Sequence, residues 1–103
     1  MRMGDLNKMM KQAQKLQAEM ARVQEALGAE RVEATAGGGV VRALCDGHGE
    51  LVELAIDPAV VDPGDVAMLA DLIRAAVNEA QRSARALAER RMREVTGGLQ
   101  LPF

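Results

Sequence analysis

Leu6, Met9, Ala13, Leu16, Met20, Val23 and Leu27 recur at alternating spacings of three and four residues. This is the a/d pattern of a helix that packs along its whole length against another helix. On the same helical wheel Lys8, Lys11, Lys15 and Arg22 fall almost opposite the seam. One face of the segment is built to be buried, and the other presents positive charge every turn or two. Asp5 is placed to cap the helix and Gly28 to stop it. The predicted arm over residues 5–28 is roughly 33 Å long at 1.5 Å per residue.

A glycine-punctuated β region follows over about 31–56. Val32, Ala34 and Ala36 share one face of a first strand, Gly37-Gly38-Gly39 breaks it, and Val40 to Cys45 resumes strand character. Asp46-Gly47-His48-Gly49 is a strong turn signal. Glu50 to Ile56 then sets Val52, Leu54 and Ile56 on one face, with Glu50 and Glu53 near solvent. Asp62 or Asp65 caps the next helix, and Pro63 suits its first turn. From about Asp65 to Thr96, Leu69, Ile73, Ala76, Ala80, Ala84 and Leu87 form a helical stripe, with Arg74, Arg82, Arg85 and Arg93 directed away from it. Gly97-Gly98 is expected to end this second arm, leaving an apolar tail within residues 97–103. The expected fold is therefore a single α+β domain, ordered α-β-β-β-α, with two long helices projecting from a small antiparallel sheet.

The chain has 103 residues, of which 49% are apolar and only Phe103 is aromatic. Its core must be assembled from Ala, Leu, Val, Ile and Met, and base-stacking modes of nucleic-acid binding are disfavoured. Helices of this length cannot fold back into a compact monomer, whose radius of gyration would be about 13 Å. Two projecting arms leave sheet surface and edges uncovered, and a second copy is the simplest cover. A homodimer joined in the sheet region is expected. The N-terminal segment is interrupted by polar residues and makes a poor signal peptide, and no stretch is long enough to span a bilayer. The lone Cys45 fits a reducing cytoplasm.

The net charge of −2 lacks the basic footprint usual for nucleic-acid binders. Its distribution is more informative: residues 1–23 carry net +3, residues 24–66 net −7 and residues 67–103 net +2. The ends are cationic and the middle is acidic.

Asn7-Lys8-Met9-Met10-Lys11-Gln12-Ala13-Gln14, Gln17, Met20, Ala36-Gly37-Gly38-Gly39, Ile56-Asp57-Pro58, Asp71 to Ala80, Thr96-Gly97-Gly98-Leu99 and Leu101-Pro102 together resemble the YbaB/EbfC family of bacterial nucleoid-associated proteins. The correspondence runs in order over nearly the whole chain. The resemblance implies a cytoplasmic, nucleoid-associated homodimer joined through its central strands, with paired helices projecting like tweezers and double-stranded DNA as ligand. It implies no enzymatic activity and no cofactor. The helical arms are the implicated region, and the choice of individual residues rests on the charge map.

The ladder of Lys8, Lys11, Lys15 and Arg22 also has a plain reading as a solvated helix face. No acidic residue lies between Asp5 and Glu19 to pair within it, and phosphate contacts need only loosely spaced cations on a rigid element. Arg82, Arg85, Arg90, Arg91 and Arg93 form a second cluster, interleaved with Glu79, Glu89 and Glu94 at pairing distance. The DNA-contact candidates are accordingly Lys8, Lys11, Lys15, Arg22, Arg74, Arg82, Arg85 and Arg93.

Other motifs point away from chemistry. Gly37-Gly38-Gly39 lacks the following Gly-Lys-Ser/Thr of a phosphate loop and reads as a bend. Cys45 and His48 fall short of the four ligands of a structural zinc. Ser83, Thr35 and Thr96 have no placement suited to a nucleophile, and Glu50, Glu53 and Asp57 read as solubilising charges on a sheet edge. No catalytic, metal or small-molecule site is expected. A protein-interaction adaptor or chaperone, gripping a partner with the apolar seam, the methionines and the tail, is the rival to DNA binding.

Overall fold

The computed structural model describes residues 2–98. Helix α1 (Met3–Leu27) leads into strands β1 (Arg31–Ala36), β2 (Val41–Asp46) and β3 (Leu51–Ile56), a short 3-10 turn (Pro58–Val60) and helix α2 (Val66–Gly98). The three strands form one antiparallel sheet in the order β1-β2-β3. The expected α-β-β-β-α order and α+β class hold. The described part measures 74 × 22 × 16 Å with a radius of gyration of 20.5 Å, against about 13 Å for a compact chain of this size.

The core is a thin layer between β2 and α2. Val41, Ala43 and Cys45 point from the sheet into Ala76, Ala80 and Ala84, and all six are fully buried. Alanines four residues apart give α2 a smooth stripe, which brings its backbone close to the strands. Val32, Ala34 and Ala36 of β1 and Leu69, Leu72, Ile73 and Val77 of α2 widen this layer. On the opposite sheet face Arg42 pairs with Glu33 at 3.3 Å and with Glu53 at 3.8 Å, beside the half-buried Leu44 and Ala55.

Both connecting turns depend on glycine. Gly37, Gly38 and Gly39 all take positive φ, at 62°, 77° and 98°, a region that costs a side chain about 1–2 kcal/mol. In the β2–β3 turn the buried Asp46 carboxylate accepts the amides of His48 at 2.9 Å and Glu50 at 3.0 Å. The Gly47 amide of this turn donates to the Leu27 carbonyl at 2.8 Å. That contact fastens the end of α1 to the sheet.

Several element ends differ from the sequence expectation. Helix α1 begins at Met3 behind Arg2, which makes no side-chain cap, so Asp5 lies inside the first turn. There its charge suits the positive end of the helix. Gly28 ends α1 in a right-handed conformation (φ −61°, ψ −28°), not as a left-handed stop. Of the two expected caps of α2, Asp65 is the one used, accepting the Met68 amide at 3.1 Å. Asp62 and Pro63 lie in the turn before it, closed by Asp65 N–H donating to Asp62 C=O at 2.9 Å. Helix α2 runs through Gly97 and Gly98, with Thr96 Oγ1 donating to the Met92 and Arg93 carbonyls. The tail from Leu99 onward lies outside the described residues.

The seam of α1 is covered over its inner half only. Leu27 is buried and Leu16 and Val23 are half-buried, whereas Leu6, Met9 and Met20 are 48%, 48% and 41% exposed. The sheet holds α2 through Ala76–Ala84, and Val95 near its end faces Lys15 and Glu19 across a cleft. Residues 3–14 of α1, roughly 18 Å of helix, extend past this point.

Candidate nucleic-acid interface

Helical periodicity places Lys8, Lys11, Lys15 and Arg22 on one stripe that rises roughly 21 Å along α1. All four are exposed. Among the described residues Lys8, Lys11 and Lys15 make no ion pair. Arg22 departs from the sequence reading, because Glu19 one turn earlier binds its guanidinium. The three lysines therefore carry the uncompensated part of the ladder.

The α2 candidates divide in the same way. Arg74 pairs with Asp71 at 2.6 Å and Arg82 with Glu79 at 2.7 Å. These pairs are solvent-exposed and worth at most about 1 kcal/mol each, so a phosphate can compete for the arginines. Arg85 and Arg93 are exposed and make no ion pair among the described residues. Arg91 bonds Glu30 at 3.0 Å and stands 3.9 Å from Glu94. It ties α2 to the connection between α1 and β1.

Three clefts surround the junction of the arms. The first, about 470 Å³, lies between α1 and α2, where Glu19, Glu30 and Glu94 stand among Lys15, Arg22 and Arg91. The second, about 400 Å³, lies where Gln24 of α1, the Gly47–Gly49 turn and Gln81 and Arg85 of α2 meet. No carboxylate lines it. The third, about 530 Å³, is of mixed charge, with Glu30 and Glu33 beside Arg31 and Arg90. Sequence reading missed the second cleft because its residues lie on three separate segments spread from position 24 to position 88, and no local motif joins them.

No described helix is long and apolar enough to cross a membrane. No three His, Cys, Asp or Glu side chains among the described residues are grouped to hold a metal ion. Cys45 is fully buried, and burial, reinforced by the charge of Asp46, raises the pKa of its thiol.

The fold and charge map define a small α+β protein whose helical arms present cations on a rigid, elongated frame. A model of the YbaB/EbfC DNA-binding family matches residues 3–99, and the chain belongs to this family. Similar relatives include the nucleoid-associated protein of Moorella thermoacetica, 57% identical over 99% of this chain and 98% of the relative. The nucleoid-associated protein of Pelotomaculum thermopropionicum is 48% identical over 96% of this chain and 94% of the relative. That of Chloroflexus aurantiacus is 50% identical over 89% and 92%, respectively. A crystal structure of an uncharacterized Helicobacter pylori protein superposes with a TM-score of 0.67, covering 87% of this chain and 91% of that one. At 20% identity this likeness concerns the fold alone.

Proposed function

We propose that this protein is a cytoplasmic, nucleoid-associated homodimer that binds double-stranded DNA through backbone phosphates, with little base specificity. The observation that carries the reading is the Lys8, Lys11 and Lys15 ladder, exposed and free of ion pairs among the described residues, on a helix that stands clear of the body. Phosphate contacts position a protein on DNA but do not encode sequence. The exposed acids of the sheet and of the turn before α2, Glu33, Glu53, Asp57, Asp62 and Asp65, keep that part of the body away from the duplex while the arms approach it. Dimers placed side by side would organise or compact the DNA and affect its expression. The names of the relatives agree with this role.

Self-association is supported by the third strand. Helix α2 packs on β1 and β2, leaving Leu51, Val52 and Leu54 of β3 exposed, and Val61, Val66 and Met68 are exposed as well. An apolar edge strand of this kind calls for a partner. Light scattering coupled to size exclusion should give twice the chain mass, and Val52→Glu with Leu54→Glu should lower it to the monomer.

Fluorescence anisotropy of a random-sequence duplex at several salt concentrations tests the DNA reading. Changing Lys8, Lys11 and Lys15 to Gln should make log K against log salt shallower by about five for six lysines per dimer, at about 0.9 per phosphate contact. An unchanged slope would remove the ladder from the interface. The exposed outer seam, Leu6, Met9 and Met10, favours the adaptor reading as the alternative. Binding of a protein partner through that seam would survive salt, and absence of duplex binding even at low salt would favour it.

A further inference from the structure

The arm has two sides, and the lysine ladder occupies only one. At 100° per residue, Gln24 lies roughly 170° around α1 from the centre of the Lys8–Lys11–Lys15–Arg22 stripe. Gln24 belongs to the carboxylate-free cleft at the arm's root, with His48, Gln81 and Arg85. The cleft on the ladder side is built differently, since its arginines are already paired: Arg22 with Glu19, and Arg91 with Glu30.

Hydrogen-bond accounting gives the cleft its sign. Two backbone acceptors at the cleft are occupied: Leu27 C=O takes the Gly47 and Glu30 amides at 2.8 and 3.2 Å, and Gly49 C=O takes the Gln81 Nε2 donor at 3.2 Å. Asp46, beside Gly47, is buried with its Oδ1 accepting the His48 and Glu50 amides, while Glu25, Glu50 and Glu89, also next to cleft residues in sequence, are exposed and do not line it. Arg85 has no carboxylate partner among the described residues, although Glu89 follows one turn later on the same helix. The His48 ring lies against Gly28, with Nε2 3.7 Å from where a Cβ there would stand. The remaining free groups are mainly donors: a guanidinium, an amide and an imidazole. Such a set takes an anion, and a guanidinium fork fits a phosphate in particular.

We propose that this cleft binds a backbone phosphate of a second DNA segment, so that each arm holds one duplex on its lysine face and bridges to another through Arg85, His48 and Gln24. This rests on the DNA-binding reading above. It adds a separate surface with a separate readout. A duplex on the ladder cannot also reach a site about 170° around the same helix without passing over the arm. The two faces therefore serve two segments.

The test compares single-duplex affinity with bridging. Bridging is read as capture of a free fluorescent duplex by a bead-bound duplex in the presence of the full-length protein. Gln24→Glu combined with His48→Asn, which puts a carboxylate into the cleft, should reduce capture at least tenfold and leave single-duplex anisotropy within about twofold of the parent. Changing Lys8, Lys11 and Lys15 to Gln should weaken both at least tenfold. Addition of duplex should shift the His48 ring resonances of the parent and not those of Arg85→Gln. Inorganic phosphate at equal phosphate concentration should shift them far less, and an equal shift would make this a free-anion site and overturn the bridging assignment. Equal loss of single-duplex binding in the Gln24/His48 variant would place the cleft in the same footprint as the ladder and also overturn it. A parent that binds one duplex but captures no second would overturn the proposal while leaving the DNA-binding reading intact. A parent that binds no duplex would remove both.

Discussion

Replacing Gly47 by alanine should loosen α1 from the sheet. A Cβ at this position would stand 2.5 Å from the Leu27 carbonyl oxygen and 2.8 Å from both Cβ and Cδ2 of Leu27. The closest of these atoms is backbone, at the last residue of α1, and it already accepts the Gly47 amide. No rotamer change relieves the overlap, so the end of the helix must move. Overpacking of this kind costs about 1–3 kcal/mol, and straining the Gly47–Leu27 hydrogen bond adds about 0.5–1.5 kcal/mol. The sum is roughly 2–4 kcal/mol, or a fall in Tm of roughly 10–25 °C for a domain near 100 residues. Gly38→Ala is the control: a Cβ there meets nothing within 4 Å, and only its φ of +77° opposes it. That substitution should cost about 1–2 kcal/mol. Thermal and urea unfolding followed by far-ultraviolet circular dichroism would read both, at one fixed protein concentration because the stability of the proposed dimer would depend on it. If Gly47→Ala stays within about 0.5 kcal/mol of the parent, or costs no more than Gly38→Ala, the tight anchor is refuted.

Ala80→Leu should destabilise by about 1–3 kcal/mol or more in the same unfolding assay, because it forces a larger side chain between α2 and β2 where no space is exposed. Arg91→Gln should cost under about 1 kcal/mol, since its pair with Glu30 is partly solvated. Cys45 should resist a thiol reagent in the folded protein at pH 8 and react fully in urea. Because burial raises the thiol pKa, the folded state holds that proton more tightly than the unfolded chain. This contribution to stability is complete below the ordinary thiol value of about 8.5 and is lost as pH rises through the folded value. Cys45→Ala should flatten that alkaline decline in unfolding experiments.

Periodicity carried the secondary structure because both helices and β1 bury one face. The Leu69–Leu87 stripe and the Val32, Ala34 and Ala36 face are where spacing placed them. The ends were less legible. Asp5, Gly28 and Pro63 are common cap and stop residues, yet local hydrogen bonding at Arg2 and Asp65 sets the helix starts, and α2 continues through Gly97-Gly98. The α1 seam was readable as apolar, but its coverage was not, because that depends on where α2 docks. Likewise the ladder was visible as charge, while the pairing of Arg22 with Glu19 required side-chain geometry. The donor-lined cleft joins three distant segments and leaves no pattern in any of them.

The attachment of α1 at Leu27 has a mechanical consequence. The helix is about 38 Å long at 1.5 Å per residue, and its anchoring contacts lie at one end. A rotation of about 10° at that root carries Met3 through roughly 6–7 Å, by the length of the helix. The sheet and α2 need not rearrange for the arm tip to follow the curvature or width of what it touches. Conversely, a ligand that pins the tip exerts its greatest torque at Gly47 and Leu27, where there is least room to yield.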